Sequence, residues 1–309
     1  MNIAKLVTRS EFITLNKKSI FYPSLHICIR FFLIVFFLSL SDVFWREGQY
    51  IFFLLVAYVH CVSITFWGFA GLAHEFSHAS VFKNKVVNKY LFILCSSLVF
   101  ENYSYFKLSH VHHHVDTFAD DDHEAIGLNN WSITDMFSYL FLDIRALLRK
   151  YRYALVNSFG FDGKSYERID QTHVSSARTI VVLNMTFHLI LWFIFENWII
   201  NILWFIGPFT GTFLNKFLAR AQHLGLGSHK NDGALLHSRT LLLPLPLSFL
   251  YANMNYHVEH HLAPSIPYYN LPKLHRILKS KGLITPESNT NYIKNTFIPY
   301  VWSESKRAA

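Results

Sequence analysis

The sequence is poor in charge. Asp, Glu, Lys and Arg make up 16% of its 309 residues, whereas about a quarter of the residues in a soluble domain are charged. Hydrophobic residues make up 52% and aromatic residues 17%, and they are concentrated in long apolar runs. This composition excludes an ordinary soluble domain and indicates a protein that lies in a membrane.

Cysteine is also scarce. The three cysteines, Cys28, Cys61 and Cys95, all lie in apolar surroundings and form no C-x-x-C pair, so we interpret them as buried free thiols. The chain has no haem-binding or iron–sulfur cysteine pattern. Any electrons that the protein uses must therefore come from a separate protein.

The positive net charge has no nucleic-acid motif to accompany it. The chain carries a charge of +8 with histidine neutral, and its Lys and Arg residues are dispersed between the apolar runs. This pattern excludes a nucleic-acid partner. The N-terminus lacks an apolar stretch followed by a small-residue cleavage site, so we expect the first apolar run to be retained as a membrane anchor.

Four apolar runs predict about four transmembrane helices, arranged as two hairpins. These runs are Phe31–Trp45, with Arg30 snorkelling from its end, Tyr50–Ala73, Ile180–Phe195 and Trp198–Leu214. If the N-terminus is cytoplasmic, 27 of the 28 Lys and Arg residues fall on the cytoplasmic side, as the positive-inside rule requires. Shorter runs at 90–100 and 241–251 predict buried or interfacial segments, and the apolar stretch before Arg145 predicts an amphipathic interfacial helix.

Three histidine clusters lie on this predicted cytoplasmic side. They read H-E-F-S-H at 74–78, H-V-H-H-H at 110–114 and H-V-E-H-H at 257–261. Residues three and four apart share one face of a helix, so each cluster directs imidazoles towards a common point. Neutral imidazole binds iron, zinc, copper and nickel. Eight clustered histidines exceed what one four-coordinate zinc can use, and they fit two metals with open positions.

The order of these clusters resembles a known family. H-x-x-x-H, H-x-x-H-H and H-x-x-H-H, interleaved with transmembrane hairpins, resemble the membrane-bound fatty acid desaturase superfamily, which includes desaturases, hydroxylases and carotenoid ketolases. The segment N-M-N-Y-H-V-E-H-H-L-A-P-S-I-P-Y-Y-N-L-P-K-L-H at 253–275 is similar to the third histidine box of bacterial members. The resemblance covers about residues 50–280.

The resemblance implies a non-haem di-iron centre, with two iron ions held almost wholly by histidine. By position, the ligand candidates are His74, His78, His110, His113, His114, His223, His257, His260 and His261. His223 stands where the family often has a ninth ligand, although Gln222 precedes it where many relatives have Glu. A second departure is His237, which replaces the first residue of an N-T-R-T motif, so the substrate pocket is not predicted.

The resemblance also implies an activity. We expect a membrane di-iron oxidoreductase that uses dioxygen and two external electrons to desaturate a fatty-acyl or lipid-like chain. Hydroxylation or ketolation of a lipid-like or small-molecule substrate is the alternative on the same ligands. The expected electron donor is a separate ferredoxin or haem cytochrome. The expected location is a bacterial inner membrane, with the active site on the cytoplasmic face.

A different class of enzyme has to be weighed as well. His74-Glu75-Phe76-Ser77-His78 is also a literal H-E-x-x-H, the zinc-protease signature in which Glu is the general base, and Asp232 offers a later aspartate. This interpretation leaves six clustered histidines without a role. A non-enzymatic metal transporter is disfavoured because its ligands would lie near the membrane midplane.

The remaining polar residues near the boxes have two interpretations each. The acidic run at 120–124 and Glu259 either face solvent or orient ligand histidines through the second ring nitrogen. His112 fits an outer hydrogen-bonding role better than ligation, and His60 and His188 fit neutral, hydrogen-bonded histidines within spans. We expect residues 1–309 to form a single domain, with an N-terminal cytoplasmic arm at 1–26 and a C-terminal tail at 282–309.

Overall fold

The fold is helical throughout the part of the chain that can be described. A computed structural model describes residues 3–118, 122, 124, 131–226, 237–284 and 289–300. Within these ranges β-pairing is limited to three isolated bridges. The α-helices are α1 Arg9–Leu15, α2 Phe21–Arg46, α3 Tyr50–Thr65, α4 Leu72–Ser77, α5 Lys85–Leu98, α6 Tyr103–Val115, α7 Ile133–Leu140, α8 Ile144–Ser158, α9 Gln171–Phe195, α10 Trp198–Ile206, α11 Phe213–Ala221, α12 Leu245–Leu250, α13 His257–Leu262, α14 Leu271–Ser280 and α15 Asn289–Tyr292. Short 3₁₀ segments occupy Ile3–Lys5, Gly207–Phe209 and Tyr268–Asn270, and a π-helical turn occupies Ile293–Phe297.

Two of the described helices are long and apolar enough to cross a membrane. Helix α2 has 26 residues and α9 has 25, which corresponds to about 38 Å each at 1.5 Å per residue. Both expose large apolar side chains, such as Phe32 on α2 and Phe193 on α9. Exposed apolar faces of this length fit contact with lipid rather than with water.

Both long helices begin about ten residues before the predicted spans. The prediction that Arg30 snorkels from the end of the first span is wrong, because α2 starts at Phe21 and Arg30 lies within it. The Arg30 side chain is 1% exposed. Its guanidinium lies over the Trp67 ring, 5.0 Å from the centroid, and it donates a 2.6 Å hydrogen bond to the Leu250 carbonyl.

The other two predicted spans are shorter apolar helices. The run predicted as one span over Tyr50–Ala73 is divided, because α3 ends at Thr65 and α4 begins at Leu72. Gly71 permits this break, since a Cβ atom there would lie 1.9 Å from the Phe66 carbonyl oxygen. The run over Trp198–Leu214 contains α10 and a 3₁₀ turn that ends at Phe209. The break at Gly71 therefore separates the apolar helix α3 from the helix α4, which carries His74.

Several of the described helices pack side by side. Helix α2 packs along α3, and α9 packs against α5, α8 and α10. Asp42, near the end of α2, accepts a hydrogen bond from the Asn197 side chain and pairs with Arg46. Arg46 in turn donates to the Phe195 carbonyl at the end of α9. These contacts join the C-terminal end of α2 to the C-terminal end of α9.

The predicted interfacial segments form separate short helices. The run at 90–100 is the C-terminal part of α5, and the run at 241–251 contains α12. The single amphipathic helix expected before and around Arg145 is two helices, α7 and α8, because the chain turns at 141–143. The Asp143 side chain caps α8 by accepting a hydrogen bond from the Ala146 amide.

Candidate metal centre

The nine predicted ligand histidines come together in two groups. The ligand nitrogens of each group lie within 4.8 Å of one another, which is the spacing expected around a single metal ion. The first, here called the five-histidine group, contains His74, His78, His110, His114 and His260. The second, the four-histidine group, contains His113, His223, His257 and His261.

Helical geometry divides each H-x-x-H-H box between the two groups. On α6, His110 and His114 are four residues apart and serve the five-histidine group, while His113 serves the other. On α13 the pair four residues apart, His257 and His261, serves the four-histidine group. Residues four apart lie on one helix face, so one box reaches two neighbouring positions. The spacing alone predicted that each box aims at one point, and it did not indicate this division of the histidines.

In the five-histidine group the Nε2 atoms face one another. His110 Nε2 lies 2.9 Å from His78 Nε2 and 3.1 Å from His114 Nε2. His114 Nε2 also lies 3.1 Å from His260 Nε2. The Nε2 of His74 is buried and has no hydrogen-bond partner among the described residues.

The four-histidine group has the same arrangement. His257 Nε2 lies 2.8 Å from His223 Nε2 and 3.0 Å from His261 Nε2. His113 Nε2 lies 3.2 Å from His261 Nε2. His223 comes from the turn after α11, so the ninth candidate lies beside the box histidines.

The opposite nitrogens of four of these rings face hydrogen-bond acceptors. His110 Nδ1 lies 2.8 Å from Glu124 Oε2, and His113 Nδ1 lies 2.9 Å from Asp122 Oδ2. The remaining two contacts are His74 Nδ1 to Glu75 Oε1 at 3.1 Å and His223 Nδ1 to the His237 carbonyl at 2.7 Å. A neutral imidazole that donates from Nδ1 has an unprotonated Nε2.

In these four rings the Nε2 lone pair faces the other histidines of the same group. A metal ion at the centre of each group would accept these lone pairs. Acceptors on the outer nitrogens of metal-bound histidines are also the usual way in which proteins fix such rings. The residues present therefore fit one metal ion in each group.

Burial keeps these rings neutral. It lowers the pKa of His78 to about 4, of His114 to about 2 and of His223 to about 3, with neighbouring histidines as the next cause. Burial also lowers the pKa of His74, His110, His257, His260 and His261 well below the usual value. Neutral imidazole is the form that binds metals, so the site is ready for a metal near neutral pH.

The carboxylates divide into those that orient ligands and those that do not. For Asp122 and Glu124 the structure favours the orienting role, and Asp120, Asp121 and His123 lie outside the described residues. Burial raises the pKa of Glu124 to about 7.

Glu259 fits neither of its two interpretations, because it does not face solvent and the described residues that it contacts are not box histidines. The Glu259 carboxylate is completely buried. It accepts from His275 Nδ1 at 2.5 Å and from Thr240 Oγ1 at 2.6 Å, and therefore fastens α13 to α14 and to the segment before α12. The sequence alone could not distinguish the role of Glu259 from that of Glu75, since both residues lie inside histidine boxes.

Glu75 has the position that argues against a zinc protease. Its Oε1 lies on the outer side of two ligand rings, 3.1 Å from His74 Nδ1 and 3.7 Å from His260 Nδ1. A protease general base has to face the water on the metal. Glu75 instead lies behind the ligands, and Asp232 lies outside the described residues.

The two histidines expected within spans, His60 and His188, differ in their hydrogen bonding. His188 Nδ1 lies 2.9 Å from Asn201 Oδ1, which confirms a hydrogen-bonded role. His60 is buried in α3, and neither of its ring nitrogens has a hydrogen-bond partner among the described residues. The expectation of a hydrogen bond is thus wrong for His60. His112 belongs to neither group.

Two cavities adjoin the histidines. A void of about 20 Å³ lies between the groups, lined by residues that include His74, His113 and His257. A space of this size holds about one water-sized molecule. A larger cavity of about 550 Å³ shares the side chains of Phe69 and Glu124 with the small void and therefore lies next to it.

The wall of the larger cavity has both apolar and charged side chains. Phe69, Phe106 and Val99 are among the apolar ones, and Phe106 stacks on the His110 ring at 5.3 Å. Four of the charged side chains form two ion pairs, Lys150 with Glu101 and Lys216 with Asp143. Such a cavity suits an amphiphile whose apolar chain lies beside the Phe106 ring.

Comparisons with known proteins point to one family. The family model described as fatty acid desaturase matches residues 18–295. The chain is also similar to a human protein, sphingolipid delta(4)-desaturase/C4-monooxygenase DES2, with 38% identity over 69 residues. That alignment covers 20% of this chain and 21% of the relative, so the chain matches about a fifth of the relative's length.

Proposed function

Because the chain belongs to the fatty acid desaturase family and is an oxidoreductase, we propose that it desaturates a fatty-acyl or lipid-like chain at a di-iron centre in a membrane. The family implies a lipid-like substrate, the use of dioxygen and a location in a membrane. The iron ions, their histidine ligands, the kind of substrate and the reaction are the parts of this proposal that go beyond membership of the family.

The observation that carries the proposal is the division of nine histidines into groups of five and four. Two iron ions would be held there, one by the five-histidine group and one by the four-histidine group. Bound iron supplies the redox power to break an unactivated C–H bond with dioxygen. A group of five histidines exceeds the four ligands of a closed structural zinc site.

The chain's own residues would hold the substrate. The apolar part of the 550 Å³ cavity would align the chain along Phe69 and Phe106, beside the His110 ring. The Lys150–Glu101 and Lys216–Asp143 pairs would contact its polar end. Fixing both ends selects which carbons lie near the histidines, and this selection determines the position of the new bond.

The overall reaction balances with external electrons. Two adjacent carbons each lose one hydrogen, and dioxygen takes these hydrogens together with two electrons and two protons to give two molecules of water. A separate ferredoxin or haem cytochrome would supply the electrons, because the sequence has no cysteine pattern for a carrier of its own.

Hydroxylation or ketolation is the second candidate. It is favoured by the name of the human relative, which combines a desaturase with a C4-monooxygenase. The same histidines would serve both reactions, and the outcome would depend on whether the second hydrogen or an oxygen is transferred.

The membrane arrangement follows as part of the proposal. Helices α2, α3, α9 and α10 would cross or enter the membrane as two hairpins, with the histidine boxes on the cytoplasmic face of a bacterial inner membrane. Two of these helices have the length to cross alone. Residues 1–309 would be one domain, with an arm at 1–26 and a tail at 282–309.

Lipid profiling tests the reaction. Expression in a bacterial host with a compatible electron donor should give a product that lacks two hydrogens, detected by mass spectrometry of extracted lipids. His260→Ala should abolish the product, whereas His188→Gln, outside both histidine groups, should retain it. A product with one added oxygen would show that the enzyme hydroxylates its substrate instead of desaturating it. An unchanged product profile with His260→Ala would contradict both.

A further inference from the structure

An apolar groove lies between the first turns of α2 and α5, away from the histidines. Its volume is about 710 Å³. It is lined mainly by apolar side chains together with Ser24, Lys83 and Asn84, the apolar ones including Ile20, Ile27, Val87 and Leu91. Ile20 and the following Phe21 are exposed. The groove therefore opens where α2 begins its apolar length, at the level expected for lipid headgroups.

Hydrogen bonds fix the two walls of the groove. The Tyr269 hydroxyl accepts from the Ser19 amide at 2.8 Å and donates to the Val81 carbonyl at 3.0 Å, which ties the segment before α2 to the segment before α5. The buried Asn88 side chain accepts from the Phe82 amide at 3.0 Å and donates to the Phe82 carbonyl at 2.8 Å. A groove held in this way needs little reorganisation to receive a ligand.

Three exposed lysines surround the mouth of the groove. Lys83 lines it, Lys18 lies two residues before Ile20, and Lys85 follows Asn84. Burial lowers the pKa of Lys18, and the nearby charge of Lys85 is the second cause. The sequence has no Asp or Glu from residue 12 to 41 or from 76 to 100. Like charges thus lie together, and neither segment supplies a carboxylate to compensate them.

We propose that this groove binds one anionic phospholipid, with an acyl chain against its apolar walls and the phosphate near Lys18, Lys83 and Lys85. A neutral lipid would fill the groove but leave the lysines without an anion. An acidic soluble protein would compensate the lysines but leave the apolar walls exposed. An anionic phospholipid satisfies both features. This site goes beyond the proposed function and does not depend on it.

Native mass spectrometry of the full chain tests the proposal. Protein purified in mild detergent is given equal amounts of phosphatidylglycerol and phosphatidylcholine. We expect preferential retention of one phosphatidylglycerol. Lys18→Gln, Lys83→Gln and Lys85→Gln combined should weaken that preference about tenfold or more, because each lysine near an anionic headgroup contributes to binding. Ser24→Phe, which fills the groove, should lower retention of both lipids.

A matched triple variant controls for net charge. Lys107→Gln, Lys164→Gln and Lys279→Gln removes the same charge at exposed positions outside the groove and should keep the wild-type preference. Thermal unfolding shows that each variant is folded. Equal retention of both lipids by the wild type would overturn the proposal. An equal loss of lipid preference in the two triple variants would also overturn it. So would a variant lacking Lys18, Lys83 and Lys85 that keeps the wild-type lipid preference but no longer binds an acidic electron carrier.

Discussion

The five-histidine group and the four-histidine group are built from the same boxes but supported differently. In the first, two histidines donate hydrogen bonds to carboxylates, His74 to Glu75 and His110 to Glu124. In the second, one ligand lies against Asp122, and His223 donates to a backbone carbonyl. The second group has one histidine fewer. One of its outer hydrogen bonds goes to the His237 backbone carbonyl, which a side-chain substitution cannot remove.

This difference indicates which position is easier to empty. A group with five histidines still has four after one is lost, and four nitrogens are enough for many metal sites. A group with four histidines has three after one is lost. We therefore expect the same substitution to have unequal effects on the two positions.

The largest expected effect is loss of a ligand from the smaller group. His257→Ala should abolish turnover and lower iron from about two to about one per chain. His78→Ala, in the larger group, should also abolish turnover but should retain clearly more iron. Metal analysis of the purified variants measures this. Equal iron loss in the two variants would remove the distinction between the groups.

The next effect concerns the carboxylates that orient the ligands. Asp122 accepts from His113 Nδ1 and also from the Phe118 and Glu124 amides. Asp122→Asn should therefore lower metal affinity or activity about 10- to 100-fold. Glu124→Gln should have a smaller effect, since His110 is the one candidate ligand among the described residues whose ring donates to Glu124. Titration with a competing chelator measures both, and a larger loss in Glu124→Gln would contradict this order.

Acid should destabilise the metal-free protein. The pKa of His78 is lowered from 6.5 to about 4 by burial. The unfolded chain therefore takes up a proton below pH 6.5 that the folded chain resists until about pH 4, so stability falls as the pH decreases through this window. The Tm of chelator-treated protein should be lower at pH 5 than at pH 7.5. His78→Gln should show a smaller decrease, and an equal decrease would assign the effect to other groups.

The smallest expected effect on the metals comes from Glu259. Glu259→Gln weakens the buried contacts with His275 and Thr240, and it should lower the free energy of unfolding by about 1–3 kcal/mol. Iron per chain should stay near the wild-type value, because Glu259 fastens helices rather than ligands. Chemical denaturation and metal analysis test the two halves of this prediction, and iron loss comparable with that of Asp122→Asn would contradict it.

The sequence predicted the site more completely than it predicted the helices. Histidines at helical spacing share a face whatever surrounds them, so the eight box histidines could be named from the sequence, and the family resemblance added His223; the structure brings all nine into the two groups. Hydropathy, in contrast, does not show where an apolar run breaks. The break at Gly71 depends on a close backbone approach to Phe66, which is a tertiary contact.

The roles of several buried charged residues depend on their tertiary contacts and could not be read from the sequence spacing. Glu75 and Glu259 both lie inside histidine boxes, yet the outer nitrogen of a ligand ring lies beside Glu75, whereas His275 of α14 lies beside Glu259. Arg30 was expected at a membrane surface, but its guanidinium packs over Trp67 inside the protein. These roles depend on residues distant in sequence, so no local pattern could indicate them.

Metal content of the wild-type protein tests the central claim most directly. The full chain, purified in mild detergent after growth with iron, is analysed by elemental mass spectrometry. Two histidine groups that each hold one ion predict about two irons per chain and little zinc. A single zinc per chain, with no binding of added ferrous iron, would contradict the di-iron assignment.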